Sequence, residues 1–346
     1  MLRALRRLSG ATAVLTGFLI NVGLTEPASA HVKWFCAYDV AGQPEGLENV
    51  LCPDFEFLVG LSVLSLLVGA LLEDTPVGLA MLRALDRATR LIRDNIETIF
   101  RCAVAFFFIA VWGVGGVLLT PELKTSSNLI GAIQLGIAAG MISRRTMPLS
   151  ALGILTLYGI AVWNYGVFHL ADYPVFLGVA IFLAMAGLGW KDLWGARPID
   201  ILRWLAGITL MWASIEKWAY PEWSYPLFIQ HPGMSLGFSP EFYMRAAGAV
   251  EFALAFSLIW TPLVRRVGAA LLAPMFITAV YSFGKIDLIG HTLIVVALFA
   301  IIADDGGKPA RLRDTVILPF GYAAALVLFM ASYYLGHAEL FGTSIL

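Results

Sequence analysis

Acidic residues and histidines inside apolar stretches are the side chains of this chain best placed to do chemistry. Glu251 lies about eleven residues into the apolar run 241–260. It is thus about 16 Å deep, near the middle of a hydrocarbon core of about 30 Å. Asp287 and His291 stand four residues apart, so they share a helix face on which the carboxylate can orient the imidazole. An ionisable group within a membrane is costly and marks a functional site. We therefore predict Glu251, His291 and Asp287 as catalytic residues; the alternative for Glu251 is a protonated structural carboxyl.

Three further charged residues complete the predicted catalytic set. Glu216 and Lys217 end the apolar run 201–218, and because they are adjacent they point apart and need partners on other helices. Lys217 could instead only extend to the membrane interface. Arg245 is the natural counter-ion for one of the acids, although its six-residue spacing keeps it off the face that carries Glu251.

The N-terminal region predicts processing and a metal ligand. Residues 1–30 combine a basic start, a 14-residue apolar run and the sequence ASA before His31. This is the pattern of a cleaved secretory signal, with an uncleaved anchor as the alternative. Cleavage after Ala30 would give His31 a free α-amine, and an amine with an imidazole suits Cu(II). His31 is therefore a candidate copper ligand, to which His337 could add a nitrogen.

Two cysteines follow on the same side of the membrane. Cys36 and Cys52 would close a loop of 17 residues in an oxidising compartment. The sequence predicts a structural disulfide between them. The alternative is a redox-active pair, although such pairs usually have C-x-x-C spacing.

The overall composition is that of an integral membrane protein. Of 346 residues, 59% are hydrophobic and 14% are charged, against about a quarter charged in soluble domains. The mean hydropathy is +0.80. No basic patch is interleaved with aromatic residues, so the composition gives no support for nucleic-acid binding. The lipid bilayer is the predicted environment.

Apolar runs bounded by charges or proline predict ten membrane spans after His31. They lie near 55–72, 98–120, 126–143, 148–168, 173–190, 201–218, 241–260, 267–284, 286–303 and 314–335. This path places fifteen Lys and Arg residues on the inner side and five on the outer side, as the positive-inside rule requires. We expect a multi-pass protein of the bacterial inner membrane with both mature termini in the periplasm.

The chain contains an internal repeat. The sequence "RCAVAFFFIAVW" aligns with "RWLAGITLMWAS", and "LTPEL" aligns with "AYPEW". Each copy spans four times from the same side, so the two copies are parallel repeats. Gln134 of the first copy corresponds to Glu251 of the second.

The repeat divides the chain into predicted regions. An outer segment 31–54 precedes a first span and an inner stretch, 55–97, in which 76–97 is either an amphipathic surface helix or a solvated connector. The first four-helix repeat is 98–200 and the second is 201–303. Residues 304–346 form the last span and an outer C-terminus.

The second repeat resembles the DoxX-like family of four-helix membrane proteins. The resemblance rests on "RWLAGITLMWASIEKWAYPEW", "RAAGAVEFALAFSLIWTPLVRR" and "DLIGHTLIVVALFAII". The residues that match the pattern are Arg203, Lys217, Glu251, Arg266 and His291. The resemblance implies a small membrane subunit linked to quinone-reducing sulfur oxidation or to a terminal oxidase. This chain departs from the family in being doubled and in carrying flanking spans.

Three functions follow as hypotheses. The first is an integral subunit of a quinone-linked or terminal-oxidase-associated redox complex, with membrane or periplasmic protein partners. The second is a proton- or ion-coupled transporter or channel for a small solute, with Glu251 as the coupling group. The third is a non-catalytic anchoring or assembly subunit in which 31–54 docks a partner. The sequence has no haem, flavin or iron–sulfur signature, so the first function requires a partner that carries electrons.

Overall fold

The part of the chain that the structure describes is mainly helical. The structure is a computed structural model and describes residues 32–235, 237–307 and 309–345. In those ranges the β-type contacts are two isolated bridges. Seven helices there are long and apolar enough to cross a membrane. The protein is an all-α, multi-pass membrane protein, as the sequence predicts.

The helices follow one another in the order in which they are numbered here. They are α1 (Val32–Phe35), α2 (Leu47–Val50), α3 (Pro53–Glu73), α4 (Pro76–Ala88), α5 (Arg90–Asp94), α6 (Ile96–Val114), α7 (Asn128–Gly140), α8 (Met147–Tyr165), α9 (Val167–Leu170), α10 (Pro174–Leu188), α11 (Pro198–Ala219), α12 (Tyr225–Gln230), α13 (Pro240–Ser257), α14 (Pro262–Tyr281), α15 (Phe283–Ala303) and α16 (Leu312–Phe341). The seven long apolar helices are α3, α6, α8, α11, α14, α15 and α16. Each of the ten predicted spans overlaps a helix, and α7, α10 and α13 are the shorter ones.

Proline fixes the start of many of these helices. Pro53, Pro76, Pro174, Pro198 and Pro240 all occupy the first turn of a helix. An N–H group is unsatisfied in the first turn in any case, and the fixed φ of proline suits the helix. Because proline is easy to see in a sequence, the predicted starts agree with the observed starts to within a few residues.

Two groups of helices, which pack against each other, form the apolar core. In the first group, α6, α7, α8 and α10 pack in sequence, and in the second group α11, α13 and the α14–α15 pair do so. Helix α10 packs against α11 and joins the two groups. Buried phenylalanines fill both groups, among them Phe100, Phe107, Phe108, Phe252 and Phe256.

Arginines close one end of both groups in the same way, and this end is called the arginine-rich end below. Arg101 at the start of α6 donates from Nε to the carbonyl of Met141, which follows α7, at 2.7 Å. Arg203 at the start of α11 donates to the carbonyl of Leu258, which follows α13, at 3.0 Å. The last carbonyls of a helix lack partners within it and attract positive charge. Each arginine therefore ties the first helix of its group to the second.

A second pair of arginines makes the equivalent contact with the last helix of each group. Arg144, just before α8, donates to the carbonyl of Ala186 in α10 at 2.9 Å. Arg266 in α14 donates to the carbonyl of Ile302 in α15 at 2.8 Å. Both contacts satisfy carbonyls in the last turn of a helix at the arginine-rich end.

Helices α14 and α15 form an antiparallel hairpin that turns at Gly284. Gly284 has φ = 76° and ψ = −160°, a conformation that is essentially restricted to glycine. The hairpin is closed at the arginine-rich end by Arg265 near the start of α14. Its guanidinium lies 2.6 Å from the carboxylate of Asp304, which follows α15.

The predicted amphipathic stretch 76–97 forms two helices and the start of a third. Helix α4 covers most of it, α5 follows, and α6 begins at Ile96. Asp86 of α4 lies 2.6 Å from the buried guanidinium of Arg266. Helix α4 is therefore tied to the arginine-rich end of the second helix group.

The predicted disulfide is wrong, because Cys36 and Cys52 are both free thiols in the structure. The intervening segment does not return on itself. Instead, Glu45 N donates to Ala219 O at 2.8 Å and Leu47 N donates to Ile345 O at 3.2 Å, which carries the segment across the bundle. The predicted signal 1–30 and the predicted copper ligand His31 lie outside the described residues.

Candidate functional site

A cavity of about 230 Å³ lies inside the bundle at the end opposite the arginines, which is called the Lys33 end below. It is bounded by α10, α11, α13, α14 and α15. Its walls are mainly apolar and include Phe176, Leu210, Leu272, Phe276 and Ile294. The polar and charged side chains that line it include those of Thr120, Asp172, Tyr173, Thr209, Lys217, Glu251 and His291. Apolar walls with a few convergent polar groups are typical of a small-molecule site.

Glu251 and Lys217 form an ion pair in this cavity. The Nζ atom of Lys217 on α11 lies 2.6 Å from Oε2 of Glu251 on α13. A close approach of the two helices allows this contact, because a Cβ on Gly248 would lie only 2.3 Å from the indole Nε1 of Trp218. That indole donates to the carbonyl of Arg245 at 3.1 Å. The ion pair thus joins two residues that the sequence singled out separately.

Asp287 and His291 meet as their spacing predicts. The Nδ1 atom of His291 lies 3.1 Å from Oδ2 of Asp287, whose side chain is fully buried. The imidazole packs between two rings, with centroid distances of 4.9 Å to Trp34 and 4.8 Å to Phe276. Gly290 makes room for the indole, because a Cβ there would lie 1.9 Å from Trp34. The N-terminal segment therefore forms part of the cavity wall.

Lys33 joins the two helix groups through two carboxylates. Its ammonium forms ion pairs with Asp172, which precedes α10, and with Glu216 on α11. The side chain is buried. Burial opposes its positive charge, but the two carboxylates outweigh burial and raise the pKa of Lys33. Glu216 and Lys217 thus point apart, and each finds its partner on another element.

The loop between α6 and α7 enters the bundle instead of lying on its surface. Val117, Leu118 and Leu123 are buried. The side-chain amide of Gln134 on α7 donates to the carbonyls of Val117 and Leu118 at 2.7 and 2.9 Å. The loop carries Glu122, whose side chain is also buried. Gln134, which corresponds to Glu251 in the repeat, therefore holds this loop.

His169 lies beside this loop in an aromatic environment. Its ring contacts Tyr38, Tyr165 and Tyr173 at centroid distances of 5.8, 5.6 and 6.4 Å. Burial lowers the pKa of His169 to about 4, and Lys33 acts in the same direction. The imidazole is thus uncharged at neutral pH.

Arg245 is not the partner of Glu251, since Lys217 takes that place. It lines a separate, shallow cavity of about 40 Å³ together with Glu45, Lys217 and Glu241. Of the six predicted catalytic residues, Lys217, Glu251 and His291 line the large cavity, and Asp287 and Glu216 stand behind it. Arg245 lies apart.

His337 is engaged in hydrogen bonds at both ring nitrogens. Its Nε2 lies 2.7 Å from the carbonyl of Val40 and 2.8 Å from the hydroxyl of Tyr220, and its Nδ1 lies 2.7 Å from that of Thr343. It therefore fastens the C-terminal helix to the N-terminal segment. No group of three or more His, Cys, Asp or Glu side chains within the described ranges could hold a metal ion.

Sequence reasoning missed two parts of the site. Lys33 is one of the five Lys and Arg residues predicted on the outer side, and Glu122 is the acidic residue of the repeat motif "LTPEL"; neither was predicted to belong to the site. The sequence does indicate that the loop with Glu122 is buried, because "GGVLLTPEL" is far more apolar than a solvent-exposed loop. Nothing in the sequence indicates that Lys33 would reach Asp172 and Glu216.

Comparisons with family models, with curated proteins and with solved structures find no match to this chain. The cavity is therefore the feature of this chain that bears most directly on its function. Its ammonium, imidazole and hydroxyl groups can donate hydrogen bonds to a ligand oxygen, and its carboxylates can exchange protons. The fold and the cavity define a multi-pass membrane protein with a largely apolar cavity that a few polar groups line.

Proposed function

We propose that this protein is the quinone-binding subunit of a membrane-associated redox complex. The observation that carries the proposal is the cavity, whose apolar walls end in proton-exchanging groups. A quinone has a flat apolar ring with two carbonyl oxygens, and each oxygen takes up a proton on reduction. The cavity is smaller than the roughly 300–1,000 Å³ of sites for drug-sized ligands. It therefore suits a single ring, with an isoprenoid tail left in the bilayer.

The polar groups have distinct roles in this proposal. The ammonium of Lys217 and the imidazole of His291 donate hydrogen bonds to quinone oxygens. Glu251 and Asp287 orient these two donors and exchange protons with the site, because each carboxylate lies within about 3 Å of its partner. Electrons come from a partner protein that carries a haem, a flavin or an iron–sulfur cluster. The N-terminal segment, which lies across the Lys33 end, is the proposed contact for a periplasmic partner.

The DoxX-like, doubled architecture belongs to the same proposal. Two groups of four helices would be parallel repeats within a ten-span protein of the bacterial inner membrane. The paired arginine contacts support this arrangement, since Arg101 and Arg203 bond equivalent helix ends, as do Arg144 and Arg266. The orientation, with the Lys33 end in the periplasm, is inferred from the positive-inside rule.

A proton- or ion-coupled transporter is the second candidate. It is favoured by two sets of ion pairs at the Lys33 end, one between Lys33 and the carboxylates of Asp172 and Glu216, the other between Lys217 and Glu251. Transporters place ionisable groups between repeats in this way. If the protein is such a transporter, Glu251→Gln should abolish proton-coupled uptake of a solute into proteoliposomes.

Photoaffinity labelling tests the quinone site directly. A short-chain azidobenzoquinone should bind the purified protein saturably, and light should attach it to peptides from α11 and the α14–α15 hairpin, which line the cavity. Excess unmodified quinone should prevent the labelling. Labelling that is unsaturable, or that is confined to lipid-facing helices such as α16, would contradict the proposal.

A further inference from the structure

The two Pro-Glu loops of the repeat have opposite environments. Glu122 in "LTPEL" is 8% exposed, whereas Glu222 in "AYPEW" lies at the surface. At the corresponding helix positions the order is the opposite, because the first repeat has the neutral Gln134 and the second has the ionisable Glu251. At these two aligned positions, each repeat thus has one buried carboxyl near the cavity, the first in its loop and the second in its helix.

The loop holds Glu122 in a fixed position. Leu118 N donates to Leu123 O at 2.7 Å, and Leu123 N donates to Thr120 O at 3.0 Å. Gln134 bonds the carbonyls on the other side of this turn. The backbone on both sides of Glu122 is therefore held in place by hydrogen bonds.

Two hydroxyl groups connect Glu122 to the cavity. Thr120 Oγ1 donates to Glu122 Oε1 at 2.8 Å, and the hydroxyl of Tyr173 donates to the same oxygen. Thr120 and Tyr173 both line the cavity. Oε2 of Glu122 is buried without a hydrogen-bond partner among the described residues. A buried carboxyl oxygen in that situation is far better tolerated when the group is protonated.

The charged and titratable groups around Glu122 do not neutralise it. The positive charge of Lys33 lowers the pKa of Glu122, but the Lys33 ammonium already forms ion pairs with Asp172 and Glu216. The other titratable groups that act on it are the phenols of Tyr38, Tyr165 and Tyr173. Burial raises the pKa of Glu122, and its hydrogen bonds and Lys33 offset that only in part.

From this geometry we infer that Glu122 is an uncharged carboxylic acid that stores a proton for the cavity. When a ligand oxygen gains negative charge, the hydroxyl of Thr120 or Tyr173 turns its O–H bond from Glu122 to that oxygen. The hydroxyl gives up this proton to the ligand and accepts the proton of Glu122 in its place. Glu122 is left as a carboxylate and regains its proton from the Lys33 end. The electrons that charge the ligand come from the redox partner, so this part of the inference rests on the proposed function.

Infrared spectroscopy of the purified protein at neutral pH tests this inference. The wild type should show the C=O stretch of a buried, protonated carboxylic acid. Glu122→Gln, whose amide oxygen can still accept from both hydroxyls, should lose this band. Glu222→Gln, the matched change in the other Pro-Glu loop, should keep it. Tyr173→Phe should shift the band, because it removes one hydrogen bond to Glu122.

Adding a short-chain benzoquinone distinguishes the inference from the proposed function. A shift of the Glu122 band on binding supports both. If quinone binds without moving the band, or if Glu122→Gln leaves the spectrum unchanged, the inference is overturned and the proposed function stands. If no quinone binds but Glu122→Gln still removes the band, the stored proton is supported and the quinone site is overturned.

Discussion

Replacing Lys33 with methionine should lower the free energy of unfolding by about 3–5 kcal/mol, the typical effect of breaking a buried ion pair by removing one partner. The methionine has a similar length but leaves the carboxylates of Asp172 and Glu216 facing each other without a cation. These two residues belong to different helix groups, so their repulsion acts on the contact between the groups. Denaturation of the purified protein in mixed micelles, followed by circular dichroism, measures the change.

Two further variants make this prediction specific. Lys124→Met removes an exposed lysine from the same end of the protein and should change the stability by less than about 1 kcal/mol. Adding Asp172→Asn and Glu216→Gln to Lys33→Met should restore most of the lost stability, because the triple variant buries no unpaired charge. If Lys33→Met is no more harmful than Lys124→Met, Lys33 does not join the helix groups.

Lys217→Met should weaken the binding of a short-chain quinone by at least about 30-fold, which corresponds to about 2 kcal/mol. The change removes a hydrogen-bond donor and leaves the Glu251 carboxylate unpaired in a largely apolar cavity. Glu251→Gln is expected to behave differently. The glutamine has the same size as the glutamate but cannot accept and release a proton. Quinone-dependent turnover with the redox partner should therefore fall by about 10²–10⁴-fold.

Lys285→Met is the matched control for this comparison, since Lys285 is exposed at the same end and does not line the cavity. It should bind quinone as the wild type does. Equal affinities for Lys217→Met and Lys285→Met would show that the ion pair has no part in the site. A Glu251→Gln variant with normal quinone turnover but no solute uptake would favour the transporter.

The sequence predicted the positions of the long helices well because their signals are local. Apolar length and proline at the first turn are properties of a short window, so each of the ten predicted spans overlaps a helix, and seven of these helices are long and apolar enough to cross a membrane. The i, i+4 spacing of Asp287 and His291 is equally local, and the structure brings these two side chains together. Adjacent residues on a helix point apart, which is why Glu216 and Lys217 have partners on different elements.

Contacts between distant segments could not be predicted in the same way. The partner of Glu251 depends on how closely α11 and α13 approach, which Gly248 and Trp218 determine. The predicted disulfide failed because the spacing of Cys36 and Cys52 says nothing about the path between them. Glu122 was overlooked because its contacts with Thr120 and Tyr173 depend on how the loop enters the bundle.

The central claim is that the cavity at the Lys33 end binds a quinone, and filling the cavity tests it most directly. Ala279 lines the cavity, so Ala279→Phe should occupy the space of the ring without removing any ionic group. Ala324 is exposed on α16, and Ala324→Phe adds the same side chain outside the cavity. Equilibrium binding of a short-chain benzoquinone should be lost in Ala279→Phe and retained in Ala324→Phe, with both variants folded. Wild-type affinity in a folded Ala279→Phe variant would contradict the account.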